Sequence, residues 1–339
     1  MSSRVLARAP GKLFLLGEYA VLDGCPAVVA AIDRFIEVTL EWTDGDGVTR
    51  LSSEMASVEF PTTAPPAETG PMRFAIAAFH SALSRCPDAA RRSFTIDIVS
   101  HLDAGKGTKT GLGSSAAVSV GVVAAMFAAA GKRISEPSCR DQLFAAALEA
   151  HRTVQGKLGS GADVASSAYG GMILFQPRNG SAQITPLGVP VDTHLLAAWT
   201  GESASTPALV DKYSQARNGN AAKRAAFVEA SRASVNDFVA GLAQRSLSLA
   251  AVAANGALLE QLATDLSLPL FTPRLRRLVE IARAHGAAAK ISGAGGGDCG
   301  IAFARDATGA QHLRAAWQAA GLAPLDLNIC SEGVTVVGG

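Results

Sequence analysis

The sequence predicts an α+β protein of two lobes. Strand-like segments recur in both halves of the 339-residue chain, alternating apolar and polar in the first, and stretches of helical character lie between them. A run of loop-formers from Pro177 to Pro190 separates the halves. The expected division is therefore 1–185 and 186–339.

In order, Arg4 to Ala9 and Lys12 to Leu16 read as strands around a Pro10-Gly11 turn, and Phe35 to Trp42 as a half-buried strand. Asp44 to Pro71, rich in Gly, Thr, Ser and Pro, reads as loops and short edge strands. Met72 to Arg85 has the pattern of an amphipathic helix, and Phe94 to Val99 alternates as a strand. A glycine-rich turn then leads into a small-residue helix over Ser115 to Ala130, followed by helices over Arg140 to Gln155 and from Asp163 to Tyr169. In the second half, His194 to Thr200 is a buried strand. Helices dominate Pro207 to Leu266 and Thr272 to His285. Ala288 to Ile291 and Cys299 to Ala304 are strands around a glycine loop. Leu313 to Ala320 is a helix and Gly333 to Val337 a last strand.

Thirty Lys and Arg against 29 Asp and Glu give a formal net charge of +1, which argues against a nucleic-acid binder working through a global basic field. An anionic ligand must be held by local groups. The five cysteines form no C-x-x-C pair, so neither a zinc ribbon nor a dense disulfide framework is expected. The longest weakly polar run, Val118 to Ala130, is too short to span a bilayer, and Lys12 and Glu18 interrupt the apolar N-terminal stretch where a signal peptide would need a clean one. A cytoplasmic protein without membrane partners is the expectation.

Glycine makes up 34 residues, about one in ten, and concentrates in four places. Pro10-Gly11-Lys12, with Gly17-Glu18 following, puts a lysine beside permissive backbone. Lys106 to Ala117 (KGTKTGLGSSAA) lies between a predicted strand and a predicted helix, where free amides and the positive helix end suit an anion and two serines add hydroxyls. Gln155 to Asp163 ends on a carboxylate after a glycine-rich turn, placed either to approach a substrate hydroxyl or to cap the next helix. Ser292 to Gly300 (SGAGGGDCG) holds five glycines in nine residues and suits a backbone clamp on a ligand. No Gly-Lys pair continues as a Walker A loop, the kinase H-R-D-L signature is absent, and two loose Gly-x-Gly-x-x-Gly/Ala hits lack a clear βαβ context.

Three of these segments, in this order, resemble the motifs of the GHMP kinases: Ala9 to Tyr19 (APGKLFLLGEY), Gly111 to Ala117 (GLGSSAA) and Ser292 to Gly300. The resemblance implies a two-lobed α+β kinase with a ribosomal-protein-like N-terminal lobe and a ferredoxin-like C-terminal lobe, using ATP and Mg²⁺. Within the family the details are most similar to the phosphomevalonate kinases. These are Lys109-Thr110 leading into the second motif, Tyr19 after Glu18, the segment from His151 to Asp163, Trp199 to Thr206, and Asp298 in the third motif. Mevalonate kinases usually carry a metal-binding Glu where this chain has His151. The alternatives are a mevalonate kinase, the related decarboxylase, or a catalytically silent ligand sensor on the same fold.

The resemblance implies the following roles. Lys12 and Asp163 are catalytic. Lys109, Gly111, Leu112, Gly113, Ser114, Ser115 and Ala116 bind the nucleotide, with Ser115 also on the metal. Lys12, Ser160, Asp163, Ser203, Ser205, Thr206, Gly293, Gly295 and Gly296 face the acceptor, and Lys157 is a further candidate there. The implied acceptor is 5-phosphomevalonate, in a monomer or homodimer without nucleic-acid partners.

Overall fold

The computed structural model describes residues 3–45, 47–103, 108–156, 159–178, 181–219 and 221–338. Lys106, Gly107, Lys157 and Leu158, named above in the glycine clusters, lie outside the described residues.

The first strand is continuous. β1 (Ser3–Leu16) runs straight through the expected turn, and a register shift between Pro10 and Gly11 takes the place of a reversal. Proline has no amide to give a ladder, so the step is absorbed as a bulge rather than a break. β2 (Ala27–Asp44) extends well beyond the predicted strand. Its first part pairs with β6 (Met172–Arg178) and its last part with β5 (Arg92–Ser100). β3 (Val48–Ser53) and β4 (Ser57–Pro61) form the expected edge. β6 continues into β7 (Ser181–Leu187), so part of the loop-forming run is a β-hairpin. Its alternating exposure is that of a solvated edge strand, a weak pattern in sequence.

α1 (Arg73–Leu83), α2 (Ser114–Ala129) and α4 (Ala162–Tyr169) pack with this eight-stranded sheet, and α3 (Pro137–Gln155) packs on these three helices. α2 is apolar nearly all round, as a helix enclosed on every side must be, and Val122, Val123, Met126 and Phe127 are fully buried. Phe79 meets Phe60 and Phe94 edge-on in the same core.

The second sheet is four-stranded and antiparallel, ordered β11 (Ala323–Leu325), β8 (His194–Trp199), β10 (Cys299–Ala304), β9 (Ala288–Ile291). Its strands read as continuous apolar runs because both faces are covered. Leu196, Ala198, Ala302 and Ala304 pack with α8 (Pro273–Ala284) and α9 (Ala307–Ala319). The alternate residues Ala197, Ile301 and Phe303 join the core shared with α6 (Ala221–Ala243), α7 (Leu249–Asp265) and the first lobe. α5 (Thr206–Ala216) leads into α6. Local signals fix the ends of α8, where Thr272 caps the amide of Leu275 ahead of Pro273, and of α9, where Asp306 caps Gly309.

The last strand, β12 (Thr335–Gly338), pairs antiparallel with β1 in the first sheet. The expected division at 185/186 therefore does not sort the sheets cleanly, since the end of the chain returns to the N-terminal lobe. Among the described residues, no helix is long and apolar enough to cross a membrane.

Candidate active site

A cleft of about 340 Å³ opens where the two lobes meet. β1 brings Lys12, the start of α2 brings Ser114 and Ser115, and α4 brings Asp163. From the second lobe come the segment Ala204 to Thr206 and the third glycine cluster, with Ser292, Gly293, Ala294 and Asp298.

The second glycine cluster docks directly on β1. The Lys12 amide donates to Leu112 O at 2.8 Å and Lys12 Nζ donates to Gly111 O, also at 2.8 Å. Gly111 and Gly113 take φ of +80° and +87°. A β-carbon would meet Asp298 Cβ at 2.5 Å on the first and Lys12 Cγ at 2.9 Å on the second, so both positions demand glycine. Gly113 starts α2 with no side-chain cap, which leaves the first-turn amides and the positive helix end directed at the cleft. Such a terminus fits a phosphate chain.

Three helices converge beside it. His151 of α3 is almost fully buried, and its Nε2 lies 3.2 Å from Ser115 Oγ and 3.9 Å from Asp163 Oδ2. Its ring stacks on Phe74 with centroids 5.2 Å apart. Burial lowers its pKa, against an opposing pull from Asp163. Among the described residues no group of three or more His, Cys, Asp or Glu could hold a metal by itself. The donor set suits a Mg²⁺ that arrives on phosphate oxygens and borrows the Ser115 hydroxyl.

Polar bonds close the lobes over the cleft. Lys290 of β9 and Glu18, both buried, form an ion pair, and Lys290 also donates to Ile291 O at 2.8 Å. Tyr19 Oη donates to Ala294 O at 2.6 Å, Ser292 Oγ to Phe14 O at 3.0 Å, and Cys299 Sγ to Thr110 O at 2.9 Å. Asp298 binds the third cluster to the segment after β8. Its amide donates to Glu202 O at 2.7 Å and its Oδ1 accepts from the Ala204 amide at 3.0 Å. Burial pushes its carboxyl up, partly offset by the Ala204 amide, Lys12 and Lys109.

A second cavity of about 200 Å³ adjoins the first and shares Arg73, Phe74, Lys109, Ser114 and Ser115 with it. Its remaining wall is largely apolar, including Ile36, Met55, Met72, Ile98 and Val118. The uncapped start of α2 thus stands between a polar cleft and an apolar slot.

The cleft gathers Lys12, Lys109, Gly111, Gly113, Ser114, Ser115, Ser160, Asp163, Ser205, Thr206 and Gly293. The other expected positions do not line it. Leu112 and Ala116 are buried, with Leu112 O serving the Lys12 amide. Ser203 Oγ donates to Lys109 O at 2.7 Å. The Gly296 amide donates to Leu270 O at 2.7 Å, and a β-carbon on Gly295 would meet that same oxygen at 2.5 Å, so this part of the cluster is packed against the second lobe. Arg73, Phe74 and Gln155 line the cleft without having been singled out in the sequence. Arg73 and Phe74 open a helix whose amphipathic pattern reads simply as core packing.

Comparison with known proteins agrees with this geometry. The model described as GHMP kinases N terminal domain matches residues 73–171, and the one described as GHMP kinases C terminal matches residues 242–322. The chain is 33% identical to a phosphomevalonate kinase from Streptomyces sp. (strain CL190), over 97% of this chain and 98% of that one. It is 30% identical to a mevalonate kinase from Aeropyrum pernix, over 88% of each. The structure of Streptococcus pneumoniae phosphomevalonate kinase in complex with phosphomevalonate and AMPPNP superposes with a TM-score of 0.77 at 26% identity, covering 97% of this chain and 99% of that one.

Proposed function

The chain belongs to the GHMP kinases, and from that premise we propose that it transfers the γ-phosphoryl group of ATP to 5-phosphomevalonate, giving 5-diphosphomevalonate and ADP. The observation that carries this reading is the end-to-end match to the Streptomyces phosphomevalonate kinase. The site chemistry supports it. Lys12, Arg73 and Lys109 bring three cations to one cleft, which suits two phosphorylated ligands in a protein of almost no net charge.

The apolar slot takes the nucleoside end of ATP, and the amides at the start of α2 take its phosphates. When bound with the nucleotide, Mg²⁺ neutralises phosphate charge, and Ser115 is the side chain that would hold it. In the acceptor, a phosphate oxygen is already ionised at pH 7. It forms the new bond to the γ-phosphorus as the bond to the β-bridging oxygen breaks and ADP leaves. Charge neutralisation and alignment then matter more than proton removal. Lys12 stands between acceptor and γ-phosphate, and Asp163 orients the acceptor. Ser160, Ser205, Thr206 and Gly293 line the acceptor side, and residues 1–185 and 186–339 supply the two walls of the cleft.

A mevalonate kinase is the second reading, favoured by the Aeropyrum match. A coupled ADP-release assay with the two acceptors side by side separates them. The expected result is a kcat/KM about 10⁴-fold higher for 5-phosphomevalonate, the scale of discrimination that a site built for a polar group achieves over an acceptor lacking it. The reverse preference establishes the second reading. No ADP with either acceptor returns the chain to the silent-sensor class.

A further inference from the structure

One ring nitrogen of His151 faces two groups that lie on opposite sides of the proposed reaction. Nε2 is 3.2 Å from Ser115 Oγ, at the phosphate end of α2, and 3.9 Å from Asp163 Oδ2, in the first turn of α4. Phe74 stacks on the ring with an interplanar angle of 28°, and burial leaves the side chain only 2% exposed, so the imidazole cannot swing out to solvent. We infer that His151 is a positioning residue that fixes the Ser115 hydroxyl through Nε2, at the point where the nucleotide side of the site meets the Asp163 carboxylate of its acceptor side.

A proton on Nε2 is directed at Ser115 Oγ, with the Asp163 charge close behind it. The serine then accepts from the imidazole, and its own O–H is free to donate into the cleft, where phosphate oxygens are the acceptors. A small error in this three-group alignment is costly, because misplacing a reacting group by about 1 Å can lose ~100-fold in rate. The inference rests on the kinase reading but not on which acceptor is used.

Two polar replacements test it. Gln places its amide nitrogen near the position of Nε2, whereas Asn reaches only to that of Nδ1. His151→Gln should keep kcat within about 5-fold of the wild type, and His151→Asn should lose about 30- to 100-fold, with acceptor KM and nucleotide Kd within about 3-fold in both. On a Ser115→Ala background, His151→Asn should add less than about 3-fold, because the two residues act as a unit. Equal kcat for Gln and Asn, or losses that multiply fully with Ser115→Ala, overturn the inference. Nucleotide Kd by titration calorimetry and thermal melting detect a variant that has merely lost its fold. The kinetics are run with whichever acceptor the ADP assay selects, so failure of the acceptor assignment and failure of the His151 role give different results.

Discussion

Glu18→Gln should cost about 3–5 kcal/mol of folding stability at neutral pH, the usual penalty for stripping one partner from a buried ion pair. Lys290 and Glu18 have side-chain exposures of 0% and 2%, so neither charge can fall back on water when the other is removed. The Gly293 amide also points at Glu18 Oε1, at 3.4 Å, so the pair holds the third glycine cluster as well as β9. For a chain of this size the melting temperature should fall by roughly 5–10 °C. The loss has a pH signature. Burial lowers the Lys290 pKa and Glu18 raises it, so removing Glu18 leaves burial unopposed. The folded variant then binds fewer protons than the unfolded chain between that depressed pKa and the ordinary lysine value, and there its stability rises with pH. Melting of Glu18→Gln should accordingly recover as the pH is raised from 7 towards 10. The double variant Glu18→Gln/Lys290→Met should regain most of the loss at pH 7, since no unpaired charge remains. A single variant that melts like the wild type at every pH would show that the pair does not hold the lobes together.

That ion pair was not legible in the sequence, although both residues border glycine clusters that were. Glu18 and Lys290 are 272 positions apart, and nothing local marks a lysine in a short apolar strand as the partner of a distant carboxylate. The same limit hid the return of β12 to β1, because strand pairing is chosen by the sheet and not by the strand's own residues. Local signals performed well where physics is local. The amphipathic period of α1, the apolar run of α2, the glycine turn before α2 and the both-sides-buried strands of the second sheet all follow from patterns within about 15 residues. The β6–β7 hairpin failed for a physical reason. Gln183, Thr185 and Pro186 belong on an exposed edge, and their composition is also that of a loop. Within the glycine clusters, residue type showed where backbone approaches closely but not what it approaches. Gly293 faces the cleft beside Lys12, whereas Gly295 and Gly296, two and three positions on, pack against Leu270 and Leu209.

Lys12→Met should lower kcat by about 1000-fold while leaving the fold intact. Catalytic electrostatic groups of this kind are worth ~10²–10³ in rate, and a 5-phosphomevalonate acceptor would require two anions to be brought together as well. The substitution isolates charge from shape. The lysine stem fills the space beside Gly113, where a β-carbon would lie 2.9 Å from Lys12 Cγ, and methionine keeps that packing. What disappears is the ammonium, whose bond to Gly111 O is worth about 1.5–3 kcal/mol to stability. Lys12→Arg should not restore the rate, because a planar fork cannot occupy the point between Gly111 O and the nearby Gly293 without displacing the glycine backbone. Comparison with Asp163→Asn then reports on the acceptor. A phosphate oxygen needs no base, so with 5-phosphomevalonate the asparagine variant should lose less than Lys12→Met. An alcohol acceptor, whose proton must leave, reverses that order. Single-turnover rates for both variants, with nucleotide affinity measured separately, read out the comparison. Wild-type turnover by Lys12→Met would remove this lysine from the reacting centre, and a larger loss for Asp163→Asn would mark the acceptor as a hydroxyl.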